Sequence, residues 1–328
     1  MAKFIADFRE CFDHVVSRFS DPEPVLLSRI GGSDTRALAD YLRVRGEGGA
    51  QLEAHIDRFL PLVASYNGFF DKVDPRQSYL RYCNELIDNY LNLNYATLCN
   101  GDLLTVYFSD ILPPHQIRYN IQNVEFFKLI VEQISARHSG AVFMPYNFIE
   151  RILLDMNTMF RAFSKILNGK KVLVVSPFSE SVMKNFKARH DFFGPDFRYP
   201  EFEIDVVDVP ITYSGLSDDL YKFSSWFETA EDLKIQISEK EFDIALMSCG
   251  TYAMPIGEYI FRSMKKSAIY VGGVMQLFFG VMGRRYNNPY FLQQIRPENF
   301  IYPVERERYM KMIPLGDEAA TEAFGAYF

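Results

Sequence analysis

The chain has 328 residues, of which 48% are hydrophobic, 23% charged and 16% aromatic. These fractions are typical of a globular protein and exclude a disordered or collagen-like chain. Lys and Arg number 35 against 42 Asp and Glu, which gives a net charge of −7. Because nucleic-acid-binding domains are usually basic, we expect no nucleic-acid partner. The four cysteines form no CxxC pair, which favours reduced thiols in a cytoplasmic protein over a zinc site or a disulfide framework.

The first half of the chain is predicted to be mainly helical. Its one strong strand is an apolar run over 25–30, which is followed by two glycines. Helices are predicted over 5–19, 35–42, 52–65, 77–91, 123–137 and 148–167.

The second half alternates apolar strands with helical patterns. Strands are predicted over 172–175, 202–209, 242–247 and 268–271, with helices over 179–190, 226–239, 255–265 and after Gly273. This alternation predicts an α/β fold: a Rossmann-like, mostly parallel sheet flanked by helices, with a helical insertion in the N-terminal half. The strand over 202–209 alternates in part and is expected nearer an edge, and the strand over 25–30 is expected in the same sheet.

We find no Pro-, Gly- or Ser-rich linker and predict a single domain over 1–328. Its parts are the first strand and loop (20–45), a mainly helical insertion (46–168) and the βα units (169–310). The uncharged segment 267–283 falls at the lower length limit of a membrane span. Its glycine pair favours a buried strand-turn-helix, so we predict no transmembrane segment.

Right-handed crossovers would place the βα loops of this fold at one edge of the sheet, where open α/β sheets bind ligands. Three such loops begin at Ser176, Cys249 and Gly272. The first contains Phe178. The second contains Gly250 and Tyr252, and Tyr252 is expected either to stack on a nucleobase or sugar or to pack in the core. Cys249 would need a base brought by the fold to act as a nucleophile, and a buried structural thiol is the alternative.

The loop after the first strand has the sequence SRIGGSD over 28–34. Gly31 and Gly32 would let the backbone approach a phosphate, and Arg29 could bind phosphate or carboxylate oxygens with two hydrogen bonds. Asp34 could bind a divalent cation or accept a proton. The alternative is a tight strand-to-helix turn in which Ser33 or Asp34 caps the helix.

A second glycine pair, Gly272 and Gly273, follows the last predicted strand and favours an anion at a helix N-terminus. Gln276 lies among apolar residues and would need a hydrogen-bond partner if buried. Arg284 and Arg285 could compensate phosphate charge. The alternative is core packing with the arginines on the surface.

The loop SRIGGSD resembles the donor-site loop of the GT-D-type glycosyltransferases, which usually has the sequence Arg-Phe-Gly-Asp-Gly-Glu. The blocks over 169–182, 242–260 and 267–286, with the tail 302–309, resemble sugar transferases of bacterial and viral polysaccharide and glycoprotein glycan biosynthesis. Position by position, Arg29 and Gly31 match the family loop. The family's Asp falls on Gly32 and its Glu on Asp34.

The resemblance implies a glycosyltransferase that moves a sugar from a nucleoside diphosphate sugar to a hydroxyl of a glycan or lipid-linked glycan. For the catalytic carboxylate that activates the acceptor, Asp34 is the first candidate, with Glu305 and then Glu258 behind it. Asp34 is also the one implied ligand of Mn²⁺ or Mg²⁺, and Gly32 makes metal-independent action the alternative. Together with the βα loops described above, this gives the candidate donor-binding residues Arg29, Gly31, Gly32, Ser33, Ser176, Phe178, Gly250, Tyr252, Gly272, Gly273, Gln276, Arg284 and Arg285.

Three other functions stay open at this stage. The first is a non-catalytic nucleotide-sugar- or glycan-binding subunit of a polysaccharide biosynthesis assembly, which the missing loop Asp suggests. The second is a peripheral membrane-interaction protein that uses segment 267–285, and the third is an unrelated phosphoryl- or nucleotide-handling enzyme. The expected location is cytoplasmic, with association to a membrane surface left open.

Overall fold

A computed structural model describes residues 3–5, 7–30, 32–93, 95–98, 131–138, 140–145, 156–193, 198–212, 221–287, 289–293 and 295–307. Its strands are β1 Lys3–Phe4, β2 Leu26–Ile30, β3 Tyr95–Leu98, β4 Val142–Pro145, β5 Lys171–Ser176, β6 Glu203–Asp208, β7 Ile244–Met247 and β8 Ser267–Tyr270. Its helices are α1 Phe8–Ser20, α2 Gly32–Val44, α3 Ala50–Asn67, α4 Pro75–Leu91, α5 Met156–Leu167, α6 Ser179–Phe186, α7 Trp226–Ser238, α8 Ala253–Glu258, α9 Met275–Phe278 and α10 Pro289–Leu292. None of these described helices is long and apolar enough to cross a membrane.

The eight strands form one sheet in the order β1-β4-β3-β2-β8-β7-β5-β6, and every pairing is parallel. This confirms the α/β fold class and places the first predicted strand in the common sheet. β6 pairs only with β5, so it is the predicted edge strand. Alternate residues of β5 explain its apolar run: Leu173 and Val175 face one core, whereas Val172 and Val174 face the other.

The helices cover both faces of the sheet. Helices α2, α3, α4, α7 and α8 pack on one side, here called face A. Helices α1, α5, α6 and α9 pack on the other, called face B. The described helices that lead in one direction along the sheet lie on face A, and those that lead the other way lie on face B, as a constant crossover hand requires.

Several helices begin where the sequence provides a capping side chain. The carboxylate of Asp7 accepts a hydrogen bond from the Glu10 N–H (2.9 Å) at the start of α1. Asp74, followed by a proline, caps α4, and the Ser225 hydroxyl caps α7. These side chains satisfy N–H groups that have no partner inside the helix.

The insertion differs from the predicted helical segment because it contributes two strands, β3 and β4, to the sheet. Each has four residues, too few for an alternating pattern to be recognised among helical neighbours. β1 has only two residues and adds to the edge at β4. The helix expected after Gly273 is a single turn, α9.

Candidate active site

The carboxyl ends of four neighbouring strands form the candidate site. In the order β2, β8, β7, β5, the chain leaves to face A, then face B, then face A, then face B. Adjacent loops that leave to opposite faces open a crevice between them, which is where open α/β sheets bind ligands. The three predicted loops therefore lie at one edge, together with the loop after β2.

Arg29 provides the positive charge at this edge. It is the penultimate residue of β2 and is half-buried. Its guanidinium carbon lies 5.3 Å from the ring centroid of Tyr270, the last residue of β8. The Tyr270 hydroxyl donates a hydrogen bond to the Gly250 carbonyl (3.1 Å), just after β7. One cation is thus held where three strands end, and its contact with the aromatic face favours this position.

Gly272 makes room for that guanidinium. Its φ is 79°, and a Cβ built at this position would collide with Nη1 of Arg29. Its N–H donates a hydrogen bond to the Met247 carbonyl (3.1 Å), so this donor group is already occupied by the protein backbone. Because α9 has only four residues, this loop does not provide the long helix N-terminus that the glycine pair suggested. Its observed contribution is space for Arg29.

Gln276 is buried, with 2% of its surface exposed, and its amide connects two loops. In the orientation that satisfies both amide atoms, it donates to the Gly273 carbonyl (3.3 Å) and accepts from the Gly283 N–H (3.1 Å). The hydrogen-bond partner that a buried amide requires is therefore the backbone. Gln276 fixes the shape of the segment from Gly273 to Gly283.

The loop after β5 is closed by its own side chains and by the C-terminal segment. The Ser176 hydroxyl accepts a hydrogen bond from the Phe178 N–H (3.1 Å), and the Phe178 side chain is buried. The buried carboxylate of Glu305 accepts from the Ser181 N–H (3.0 Å) through one oxygen and from the Ser181 hydroxyl through the other. Glu305 therefore occupies the N-terminus of α6 with a negative charge from the protein itself.

The loop after β7 packs into the core. The ring of Tyr252 stacks on Trp226, with centroids 5.3 Å apart and an interplanar angle of 12°, and its hydroxyl lies 3.0 Å from Oγ1 of Thr212. This is the packing role that the sequence left open. Burial raises the pKa of the Cys249 thiol, which keeps it protonated and unreactive near neutral pH.

The structure describes the remaining predicted site residues only in part. Gly32 begins α2 and is followed by Ser33 and Asp34, but the side chains of these two residues and all of Gly31 lie outside the described part. Arg284 is exposed in a short 3-10 turn directly after Gly283, and the side chain of Arg285 lies outside the description. Their roles stay predictions.

The sequence did not single out Tyr270, which supports Arg29. The available signal was an aromatic residue at the end of a strand, directly before a glycine pair. Glu258, the last candidate for the catalytic carboxylate, is buried at the end of α8 and paired with Arg262. Burial raises the pKa of Glu258, and the guanidinium of Arg262 partly offsets this rise.

The described residues and the loop after β2 offer few donor groups for the Mn²⁺ or Mg²⁺ that the resemblance implies. Among the described residues, no group of three or more His, Cys, Asp or Glu side chains is arranged to hold a metal ion. The loop sequence offers one carboxylate, Asp34, because glycine stands at position 32. One carboxylate does not make the acidic pair that the resemblance implies, and dependence on Mn²⁺ or Mg²⁺ stays a prediction.

No family model and no curated protein matches the chain. A solved structure described as a selenomethionine-substituted domain of unknown function 1792 is 11% identical, with a TM-score of 0.46 over 95% of each chain. Another, described as "The highly conserved domain of unknown function 1792 has a distinct glycosyltransferase fold", is 11% identical, with a TM-score of 0.44 over 95% of each chain. At these values the similarity carries no argument about the activity of this chain.

Proposed function

We propose that the chain is a glycosyltransferase of the GT-D type, which moves a sugar from a nucleoside diphosphate sugar to a hydroxyl of a growing glycan or lipid-linked glycan. The observation that carries the proposal is the Arg29 guanidinium at the carboxyl end of β2, in contact with the Tyr270 ring at the end of β8 and in the space that Gly272 leaves. The resemblance of the loop SRIGGSD to a donor-site loop supports the same position.

In this proposal Arg29 binds the diphosphate of the donor. A guanidinium keeps its charge at all physiological pH values and presents parallel N–H groups that match two phosphate oxygens. As the bond between the sugar and the diphosphate breaks, the leaving group gains negative charge, which a fixed cation stabilises. In a chain of net charge −7, such a local cation is required for an anionic donor.

The N-terminus of α2 lies beside Arg29, because this 13-residue helix follows β2 almost directly. Its first N–H groups have no partner inside the helix and favour an anion. The N-terminus of α6, by contrast, already holds the carboxylate of Glu305. These two observations favour the β2 side of the edge for the diphosphate.

The proposed sugar transfer needs no reactant besides the donor and the acceptor. The acceptor oxygen forms a bond to the anomeric carbon, and the diphosphate leaves with the electron pair of its own bond to that carbon. The proton of the acceptor hydroxyl passes to a carboxylate, for which we propose Asp34. Because Glu305 already accepts two hydrogen bonds from Ser181, we propose an anchoring role for it instead.

Nucleotide binding tests the role of Arg29. Melting curves with UDP, GDP, dTDP, CMP and their sugars, with and without manganese, should show stabilisation by one nucleotide class. At 100 times its dissociation constant a ligand stabilises by about 2.7 kcal/mol. Arg29→Gln should abolish this shift, whereas Arg43→Gln, on an exposed arginine at the far end of α2, should keep it. The absence of any nucleotide shift in the wild type would contradict the proposal.

Transfer activity tests the role of Asp34. Asp34→Asn should lower transfer by at least about 100-fold, since the amide accepts no proton, and should keep the nucleotide-induced shift. Asparagine has the same shape as aspartate, and losing one carboxylate from the first turn of α2 should cost at most about 1 kcal/mol, so the fold should be preserved. Wild-type rates in this variant would refute the role of Asp34. Nucleotide binding by the wild type without transfer to any acceptor would favour the non-catalytic binding subunit.

A further inference from the structure

A cavity lies at the carboxyl end of the edge strand β6, away from Arg29. Its volume is about 240 Å³, below the roughly 300 Å³ at which pockets begin to hold drug-sized molecules. Phe70, Tyr221 and Phe223 supply its aromatic lining, and Asp208, Asp232 and Gln236 supply polar groups. The cavity therefore suits a single ring with hydrogen-bonding substituents.

The aromatic wall is fixed by the backbone around it. The rings of Phe70 and Tyr221 are in contact, with centroids 4.6 Å apart. The Phe70 carbonyl accepts a hydrogen bond from the Trp226 N–H (2.9 Å), and the Lys72 N–H donates to the Ser224 carbonyl (2.9 Å). These bonds hold the two segments together, so little ordering is needed when a ligand binds.

The polar groups favour a neutral ligand that donates hydrogen bonds. Asp232 accepts from Gln236 Nε2 (2.6 Å) and pairs with Lys222 Nζ (3.2 Å). Asp208 accepts from the Ser179 hydroxyl at 2.6 Å. Lys72 lies at the same wall, where its Nζ donates to the Tyr221 carbonyl (3.4 Å), so two carboxylates face two lysines. This near balance of charge offers an anion no net attraction, whereas the carboxylate oxygens accept hydrogen bonds from hydroxyl groups.

We propose that this cavity binds a sugar ring of a neutral acceptor glycan, an inference that rests on the proposed glycosyl transfer. A pyranose has a C–H face that packs on an aromatic ring and a rim of hydroxyls for carboxylate and amide groups. Four strand spacings of about 4.8 Å, or roughly 19 Å, separate β6 from β2, which carries Arg29. The ring bound here belongs to the glycan at a distance from the reacting hydroxyl.

Saturation-transfer NMR of the full chain with maltotriose, cellotriose and chitotriose tests this site. At least one trisaccharide should bind the wild type, and Phe223→Ala should weaken it by about tenfold or more. Phe223→Leu keeps an apolar side chain but removes the flat ring, so it should lose trisaccharide binding to the same extent. It replaces the alanine variant as the test if that variant does not fold. Ile235→Ala, on the exposed face of α7, is the control and should bind normally.

Nucleotide melting shifts, measured on the same samples, separate this inference from the proposed function. If nucleotides shift the wild type but no trisaccharide binds, or if both Phe223 variants bind normally, the sugar site is refuted and the proposed function stands. Displacement of the trisaccharide by uridine or guanosine would also refute it, since the cavity would then hold a nucleobase. Trisaccharide binding lost in the Phe223 variants, without any nucleotide shift, would support the sugar site and contradict the proposed function.

Discussion

The guanidinium of Arg29 occupies the space that a Cβ at position 272 would fill. Glycine is favoured there for a second reason, because a φ of 79° is rare for residues with a side chain. By sequence both residues are donor-binding candidates, and Gly272 is expected at the N-terminus of a helix. In the structure, the glycine that follows β8 leaves space for the side chain of an arginine on the neighbouring strand β2.

A second group of side chains connects α2, α3 and α4 through a buried histidine. Nδ1 of His55 lies 2.9 Å from Oδ2 of Asp40, and its Nε2 lies 3.2 Å from the Tyr79 hydroxyl. Burial lowers the pKa of His55 below its ordinary value, although Asp40 acts in the opposite direction. The folded protein therefore favours the neutral imidazole.

This predicts a pH dependence of stability. Below about pH 6.5 the unfolded chain binds a proton at His55 that the folded chain does not, so the stability contribution of neutral His55 falls as pH decreases. The difference in Tm between the wild type and His55→Gln should therefore shrink between about pH 7.5 and about pH 5. His14, whose pKa burial also lowers, is present in both proteins and cancels. A constant difference would contradict the prediction.

At the scale of elements, α6 depends on a residue 124 positions from its own first turn. Ser181 donates both its N–H and its hydroxyl to Glu305, and its hydroxyl accepts from the Val304 N–H (2.8 Å). A carboxylate at a helix N-terminus is stabilised by the helix dipole and by the N–H groups there. This contact fastens the C-terminal segment to the edge of the sheet.

Removing the carboxylate should therefore destabilise the protein. Glu305→Ala leaves a buried N–H without its acceptor and should lower the free energy of unfolding by about 1–3 kcal/mol, measured with urea. Glu307→Ala, on an exposed glutamate two residues later, should change it by less than about 0.5 kcal/mol. Equal stability of the two variants would contradict the anchoring role. Loss of transfer in Glu305→Gln at unchanged stability would support the catalytic role inferred from the resemblance.

At the scale of the molecule, two cores share one sheet. Leu173 lies in the core of face A, and the next residue, Val174, lies in the core of face B. Trp226, the single tryptophan of the chain, is fully buried on face A. Because the central strands β2, β8, β7 and β5 contribute side chains to both cores, we expect the two faces to unfold together.

Urea unfolding followed by Trp226 fluorescence and by far-UV circular dichroism tests this expectation. Leu173→Ala should cost about 2–5 kcal/mol, and Val174→Ala somewhat less. Both variants should shift the fluorescence and dichroism midpoints together, although Val174 lies on the face opposite Trp226. Val73→Ala, on a side chain that is 84% exposed, should shift neither. An unchanged fluorescence midpoint in Val174→Ala would contradict the predicted single domain.

The sequence by itself determined the fold class and the loops that bear the candidate site. Continuous apolar strands such as β5 can be buried only when helices cover both faces of a sheet, and the partial alternation of β6 marked it as an edge. β1, β3 and β4 could not be predicted, because two to four residues show no period. Only the tertiary structure placed Arg29 over Tyr270, packed Tyr252 on Trp226 and brought Glu305 to Ser181. Local periodicity determines which face of an element is buried, whereas contacts between distant segments depend on how the elements pack together.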